Sequence, residues 1–398
     1  MRLFKYELKK NILRISVLLL LLALVLVNAY KQYETAKFLG ESGIATDVQY
    51  KSDLGRPMYE AFKGELSTEK LEEIKSYHDK MGELIHSGDF KPTSESDDRF
   101  YSGFAMGDFN ESSRTIDRMM YAYTYPNLMI ELKERANENI AFYDGRSDYE
   151  VRKNRLVAEL YTGRKINVYG NYGAFKLYFD YEFSTLVIIV MLIYAFATSF
   201  TNEKATGTDR IIRSCHRGKS VYLTKHAVML LFIFISVVLF TLLDVVRFCS
   251  FYDGMFINQP LYAIEEYKYT PFNITILGAI ILSTFAKLIA LSFVGELVFV
   301  ISSFTRNSGL AIALSFASAG AVILISEHIP SVFSPLSLVN AQSWLKDPQF
   351  INILGQPVLS FFVQLAFAVV LTIALAIICY LKTAYTKKEK RIGYDLFI

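Results

Sequence analysis

Lys287 and Glu296 stand where charge is expensive, inside the apolar run 272–301. An ionisable side chain at that depth in a membrane is a candidate for lining a pathway or a subunit interface, the alternatives being a buried structural contact for Lys287 and a place near the inner interface for Glu296. Nine residues separate the two, about 900° of helical rotation, so on one straight helix they face opposite ways and each needs its own partner or water. Asp244 and Arg247, spaced i,i+3 near the end of another apolar run, predict a local ion pair of structural use. Other reactive residue types fall in patterns that chemistry does not need. Glu72-Glu73 and Asp97-Asp98 are adjacent, and neighbours on a helix do not face each other, so they read as solvated surface. His78 and His86 are eight apart, whereas two imidazoles aimed at one zinc from a helix sit four apart. Cys215, Cys249 and Cys379 have neither metal-ligand nor disulfide-framework spacing. Gly218-Lys219-Ser220 matches the end of a phosphate-binding loop, but position 213 is Arg where the pattern needs Gly, so no nucleotide cradle can be assigned. No catalytic, cofactor-binding or metal residues are assigned to this chain.

The elements that would position these residues follow from composition. Of 398 residues 52% are hydrophobic and 15% aromatic, with a mean hydropathy of +0.27, too apolar for an ordinary soluble protein of this size. Six runs approach the roughly 20 residues that cross a bilayer: 12–30, 183–200, 226–248, 272–301, 309–326 and 357–381. Ahead of the first, residues 1–11 carry Leu3, Phe4 and Leu8 near one helical face and Arg2, Lys5, Lys9 and Lys10 around the rest, as suits a helix in the headgroup layer. A basic start, an apolar run and Val27-x-Ala29 also fit a cleavable signal peptide, although losing that span would leave an odd number of crossings.

Residues 31–182 are polar, with 21 Lys and Arg against 27 Asp and Glu. The amphipathic pattern predicts a mainly helical domain. One helix is capped by Ser67 or Thr68 and buries Leu71, Ile74, Met81, Leu84 and Ile85; two more, 112–123 and 127–142, break near Pro126. A capping box at Ser147-x-x-Glu150 opens a fourth toward Tyr161. The aromatic run 169–183 reads as an interfacial belt, or as an apolar surface met by a departing solute. Residues 327–356, with three prolines and Trp344, hold no piece of spanning length and by themselves read as an outer loop with an interfacial Trp.

Charge sets the expected orientation. Five basic residues flank the first span, six lie in 201–225, Arg306 makes one more and five lie in the tail from Lys382, against only Arg247, Lys268 and Lys346 at the opposite short loops. The positive-inside bias therefore predicts cytoplasmic N and C termini and an extracellular 31–182 domain. The expected fold class is an all-α polytopic protein of the cell membrane: six transmembrane helices, with a mainly helical extracellular domain inserted after the first.

The loop 201–225 links two spans, and residues 209–214 predict a short helix along that face, with Ile211 and Ile212 as its apolar contact and the arginines outward. Glu203, Gly207-Thr208, Ile211-Ile212, Ser214, Arg217-Gly218 and Lys225 resemble the first intracellular loop of type-2 ATP-binding-cassette exporter permeases, in the subset with a large insertion between spans one and two. The resemblance implies a coupling helix that docks on a separate ATPase subunit, with Glu203, Gly207, Arg210, Arg213, Arg217 and Gly218 at the contact. It further implies two ATPase copies, which would bind the ATP and magnesium, a second permease subunit, identical or related, and a membrane lipid environment, with no nucleic acid; for 327–356 it implies, as the alternative to an outer loop, short helices that dip back toward the outer leaflet between the fifth and sixth spans. A receptor that binds a ligand through its outer domain and recruits a signalling protein through the inner loop is the alternative reading.

Overall fold

The computed structural model describes residues 2–41, 56–88, 100, 105–214, 218–252, 254–329 and 331–392. A short helix α1 (Arg2–Asn11) leads into the long α2 (Ile15–Glu41). The insert follows: α3 (Arg56–Phe62), α4 (Thr68–Ser87), α5 (Ala105–Tyr143) and α6 (Asp148–Leu160), tied at its base by the antiparallel pairing of β1 (Gly64–Glu65) with β2 (Val168–Tyr169). Then come α7 (Gly173–Asp180), α8 (Phe183–Phe196), α9 (Thr201–Ala205), α10 (Thr208–Ser214), α11 (Gly218–Phe251), α12 (Ile276–Phe304) and α13 (Ser308–His328). A compact stretch of 3₁₀ turns, α14 (Gln342–Leu345) and the hairpin β3 (Phe350–Ile353) with β4 (Gln356–Leu359) precedes the final α15 (Ser360–Ile392).

Among the described residues six helices are long and apolar enough to cross a membrane: Ile15–Lys37, Phe183–Ala205, Lys219–Phe251, Ile276–Phe304, Ser308–Ser326 and Ser360–Lys382. In hydrocarbon the backbone must satisfy its own polar groups, which a helix does and an open strand does not. The third span begins earlier than expected, because Lys219 and Lys225 continue the helix instead of ending it. At 33 residues it is about 50 Å long and outruns a core of roughly 30 Å. Helix α12 is the hub of the bundle, packed against α8, α11, α13, α15 and the 3₁₀ turn Pro335–Val339. Gly295 lets α11 come close: a Cβ there would lie 2.9 Å from Met229 Sδ.

Within the insert, Ser67 and Ser147 cap α4 and α6 as predicted, each hydroxyl accepting a backbone N–H one turn on. Leu71, Ile74 and Met81 are buried on α4, together with Tyr77. The expected break at Pro126 is absent, and α5 runs through it without interruption. A helix-interior proline costs about 3 kcal/mol, but Met119, Ala122, Tyr125 and Met129 on both sides are buried, and each large apolar side chain so covered returns about 1.5–3 kcal/mol. The aromatic run is not a belt either. Phe175, Tyr178, Phe179 and Tyr181 are all at most 6% exposed, because α7 is apolar nearly all round and is enclosed by its neighbours, α11 among them. Trp344 is likewise buried, its indole N–H donating to Leu338 O and its ring 4.4 Å from Phe361. The segment 331–359 thus folds onto the bundle partly as a hairpin, which its short apolar pieces did not suggest.

A row of side-chain donors joins the insert to the connection between α11 and α12. Tyr121 Oη donates to Tyr262 O at 2.7 Å, Tyr125 Oη to Lys268 O at 3.0 Å, Tyr161 Oη to Tyr269 O at 2.8 Å and Arg164 Nη1 to Thr270 O at 2.8 Å. Tyr125 also stacks on Tyr262, with ring centroids 5.0 Å apart. Burial raises the pKa of all three phenols, that of Tyr125 to about 12, which keeps them protonated as donors. Replacing Tyr125 and Tyr161 by Phe leaves two carbonyls without these donors, so each change should cost about 1 kcal/mol. Thermal unfolding should show the loss, and hydrogen exchange should quicken at 262–270; unchanged exchange there would show that the clamp does not hold the loop.

Candidate functional site

The residues expected at the coupling loop lie at the end of the bundle that carries α1 and the far end of α15. Glu203, on α9, is turned inward: its Oε1 accepts from Lys225 Nζ at 2.6 Å and from Lys10 Nζ at 2.8 Å. Lys225 is 1% exposed; it also donates to Ser199 O at 2.8 Å and sits 4.6 Å from the Phe200 ring. The expected surface helix α1 therefore docks on the bundle. It packs along α11 and buries Glu7 and Asn11, whose side chains bond to each other at 3.0 Å. Lys204 covers the last carbonyls of α12, donating to Ser302 O, Ser303 O and Thr305 O, where a cation complements the helix dipole. Asn202 Oδ1 accepts from Ser308 Oγ at 2.8 Å, joining α9 to the start of α13.

Beyond this anchored turn, Gly207 takes the left-handed φ of 72° that a side chain would resist, and the chain enters α10. The short helix predicted at 209–214 is present one residue longer. Arg210 is exposed and so is Ile211, at 63%. Arg213 lies in α10 and Gly218 opens α11, whereas Arg217 is outside the described residues, as are Cys215, Asp97 and Asp98.

The two intramembrane charges find separate partners, as their spacing requires. Glu296 Oε1 meets His226 Nδ1 at 2.7 Å, and both residues are buried between α12 and α11. The second carboxylate oxygen and the second ring nitrogen are buried with no hydrogen-bond partner among the described residues. Lys287 is 5% exposed and lies over the Tyr178 ring at 5.1 Å, an arrangement in which the ring face stabilises the ammonium. Sequence reasoning had no partner for Glu296. Its only signal was a histidine at the margin of an apolar run. The expected Asp244–Arg247 pair does not form. Asp244 Oδ1 instead accepts from Asn28 at 3.0 Å and Gln32 at 2.6 Å on α2, and Arg247 lies over Phe251 at 4.8 Å. A buried carboxylate gains more from two fixed amide donors than from a flexible partner at the rim. The two histidines of the insert are also separately engaged, His78 with Ser112 Oγ at 2.8 Å and His86 with Gly82 O at 2.7 Å.

Six apolar helices with charged side chains paired between them define the architecture of a multi-pass membrane protein. No protein family, curated protein or solved structure matches the chain.

Glu203→Gln leaves the Lys225 ammonium buried without its counter-charge and should cost about 3–5 kcal/mol. Adding Lys225→Met should recover most of that, and Lys10→Met alone should cost less, because Lys10 is partly exposed. Thermal unfolding in lipid nanodiscs measures these three variants together with Lys225→Met alone. Additive losses in the double variant would show that the two residues act independently.

Proposed function

We propose that the chain is the permease subunit of an ATP-driven transporter of the type-2 ATP-binding-cassette exporter kind, paired with a second permease and with two separate ATPase subunits. One observation carries the reading: a short helix, α10, which exposes Arg210 and Ile211, lies between helices whose near ends are locked to the bundle. Load applied to α10 would pass through α9 to α11 by the Glu203–Lys225 pair, to α12 by Lys204 and to α13 by the Asn202–Ser308 bond. That is the mechanical layout a coupling element needs. ATP and magnesium would be bound by the partner ATPase, whose closure would push α10 and tilt the helices joined to it. Spans α2, α13 and α15 leave most of their surface outside the bundle, which suits a second permease or lipid against them. Solute would cross between two such bundles, and the insert would shape its path on the far side.

The test is affinity purification of the tagged full chain from its native membrane in mild detergent, with ATPase activity assayed in the eluate. A variant carrying Arg210→Glu and Ile211→Asp is purified in parallel. An ATPase should accompany the native chain and be lost, by roughly tenfold or more, with the variant, while the variant's unfolding temperature stays unchanged. If no nucleotide-binding protein is recovered under conditions that keep other membrane complexes intact, the reading fails.

A further inference from the structure

Beside the tyrosine clamp lies a cavity of about 100 Å³ at the seam between the insert and the bundle. Its walls come from four places in the chain: Arg118 and Tyr121 on α5, Tyr172 just after β2, Lys176 on α7, and Glu265 and Glu266 on the turn that follows the clamped Tyr262. Lys176 and Glu266 are ion-paired with each other. The Glu265 carboxylate is exposed and has no hydrogen bond or ion pair among the described residues. Glu265 and Glu266 both act electrostatically on the Tyr121 phenol, so their negative field reaches the cavity wall. Arg118 supplies a guanidinium from another wall.

We infer that this cavity is a binding site for a small zwitterion, a cationic ammonium head with an anionic group a few bonds away. The walls carry both signs. A purely cationic ligand would face Arg118 and Lys176, a purely anionic one would face Glu265 beside the paired Glu266, and an apolar one would strip water from all of them without return. A zwitterion answers both signs, with the ammonium toward Glu265 and the tyrosines, whose rings attract such a cation, and the anionic group toward Arg118. Size narrows the class further. A cavity of about 150 Å³ accommodates benzene, so this one takes a head of about five heavy atoms and leaves any remainder at the mouth. Free betaines or amino acids and the headgroup of a zwitterionic lipid share this chemistry. Because the site joins the insert to the turn clamped ahead of α12, an occupant would stiffen that seam. The inference is independent of the transport reading.

The experiment uses the purified full chain in a maltoside detergent free of phospholipid. Glycine betaine represents the free zwitterion and phosphocholine the headgroup. Tetramethylammonium and acetate are the single-charge controls, and calorimetry reads binding. At least one zwitterion should bind saturably, roughly tenfold or more tighter than either control. Glu265→Gln, at an exposed side chain with no bond to lose, should weaken it by a similar factor at unchanged unfolding temperature. Ala263→Met, which fills the cavity, should abolish it. Preference for phosphocholine, with competition by nanodiscs of phosphatidylcholine but not phosphatidylglycerol, would assign the site to a lipid headgroup; preference for betaine without such competition would assign it to a free solute. The inference is overturned if neither zwitterion saturates, if tetramethylammonium or acetate binds as tightly, or if Glu265→Gln binds as the native chain does.

Discussion

A polar group taken into an apolar bundle must find a partner there, and this constraint organises the structure at every scale. For the backbone it selects helices for all six apolar crossings. For side chains it dictates pairing between helices: Glu203 with Lys225 and Lys10, Glu296 with His226, Asp244 with Asn28 and Gln32. Each of these contacts joins elements distant in sequence, so the charged residues also act as register marks between spans. Alternative packings that slide one helix past another would strand a charge in hydrocarbon, at a cost of several kcal/mol.

The arrangement gives the two ends of the bundle different characters. At the end bearing α1, ion pairs and carbonyl caps gather α1, α9, α11, α12 and α13 into one block, with α10 lying beside it against α11 and α15. At the opposite end, neutral hydrogen bonds dominate. Buried phenols and one guanidinium hold the backbone of the α11–α12 connection against the insert. Helix α12 runs between the two, touching most of the other spans, so a displacement at either end meets a common element. That continuity is the physical basis for connecting a docking helix on one side with a folded insert on the other.

Much of this was legible in the residues. Span number follows from run length, and the caps at Ser67 and Ser147 follow from local chemistry confined to four residues. The short helix at α10 and the opposed facing of Lys287 and Glu296 follow from helical periodicity. The misreadings share one cause. Pro126 does not break α5, the aromatic run 169–183 is interior, and Lys225 lies inside a span, because in each case packing or an ion pair from remote sequence outweighs a local preference of a few kcal/mol. The hairpin 350–359 escaped because its strands are only four residues each, too short for a two-residue alternation to stand out.

What the sequence by itself determined is therefore the class of protein: six apolar helices with a polar helical insert after the first, set by hydropathy and by the rule that hydrocarbon tolerates no unpaired backbone. Only the tertiary structure decided which charges meet, that Glu203 points into the bundle while Arg210 and Ile211 point out, and that the insert grips the chain ahead of α12. Those outcomes depend on side chains separated by 22 to 216 positions, and neither periodicity nor composition carries information about such distances.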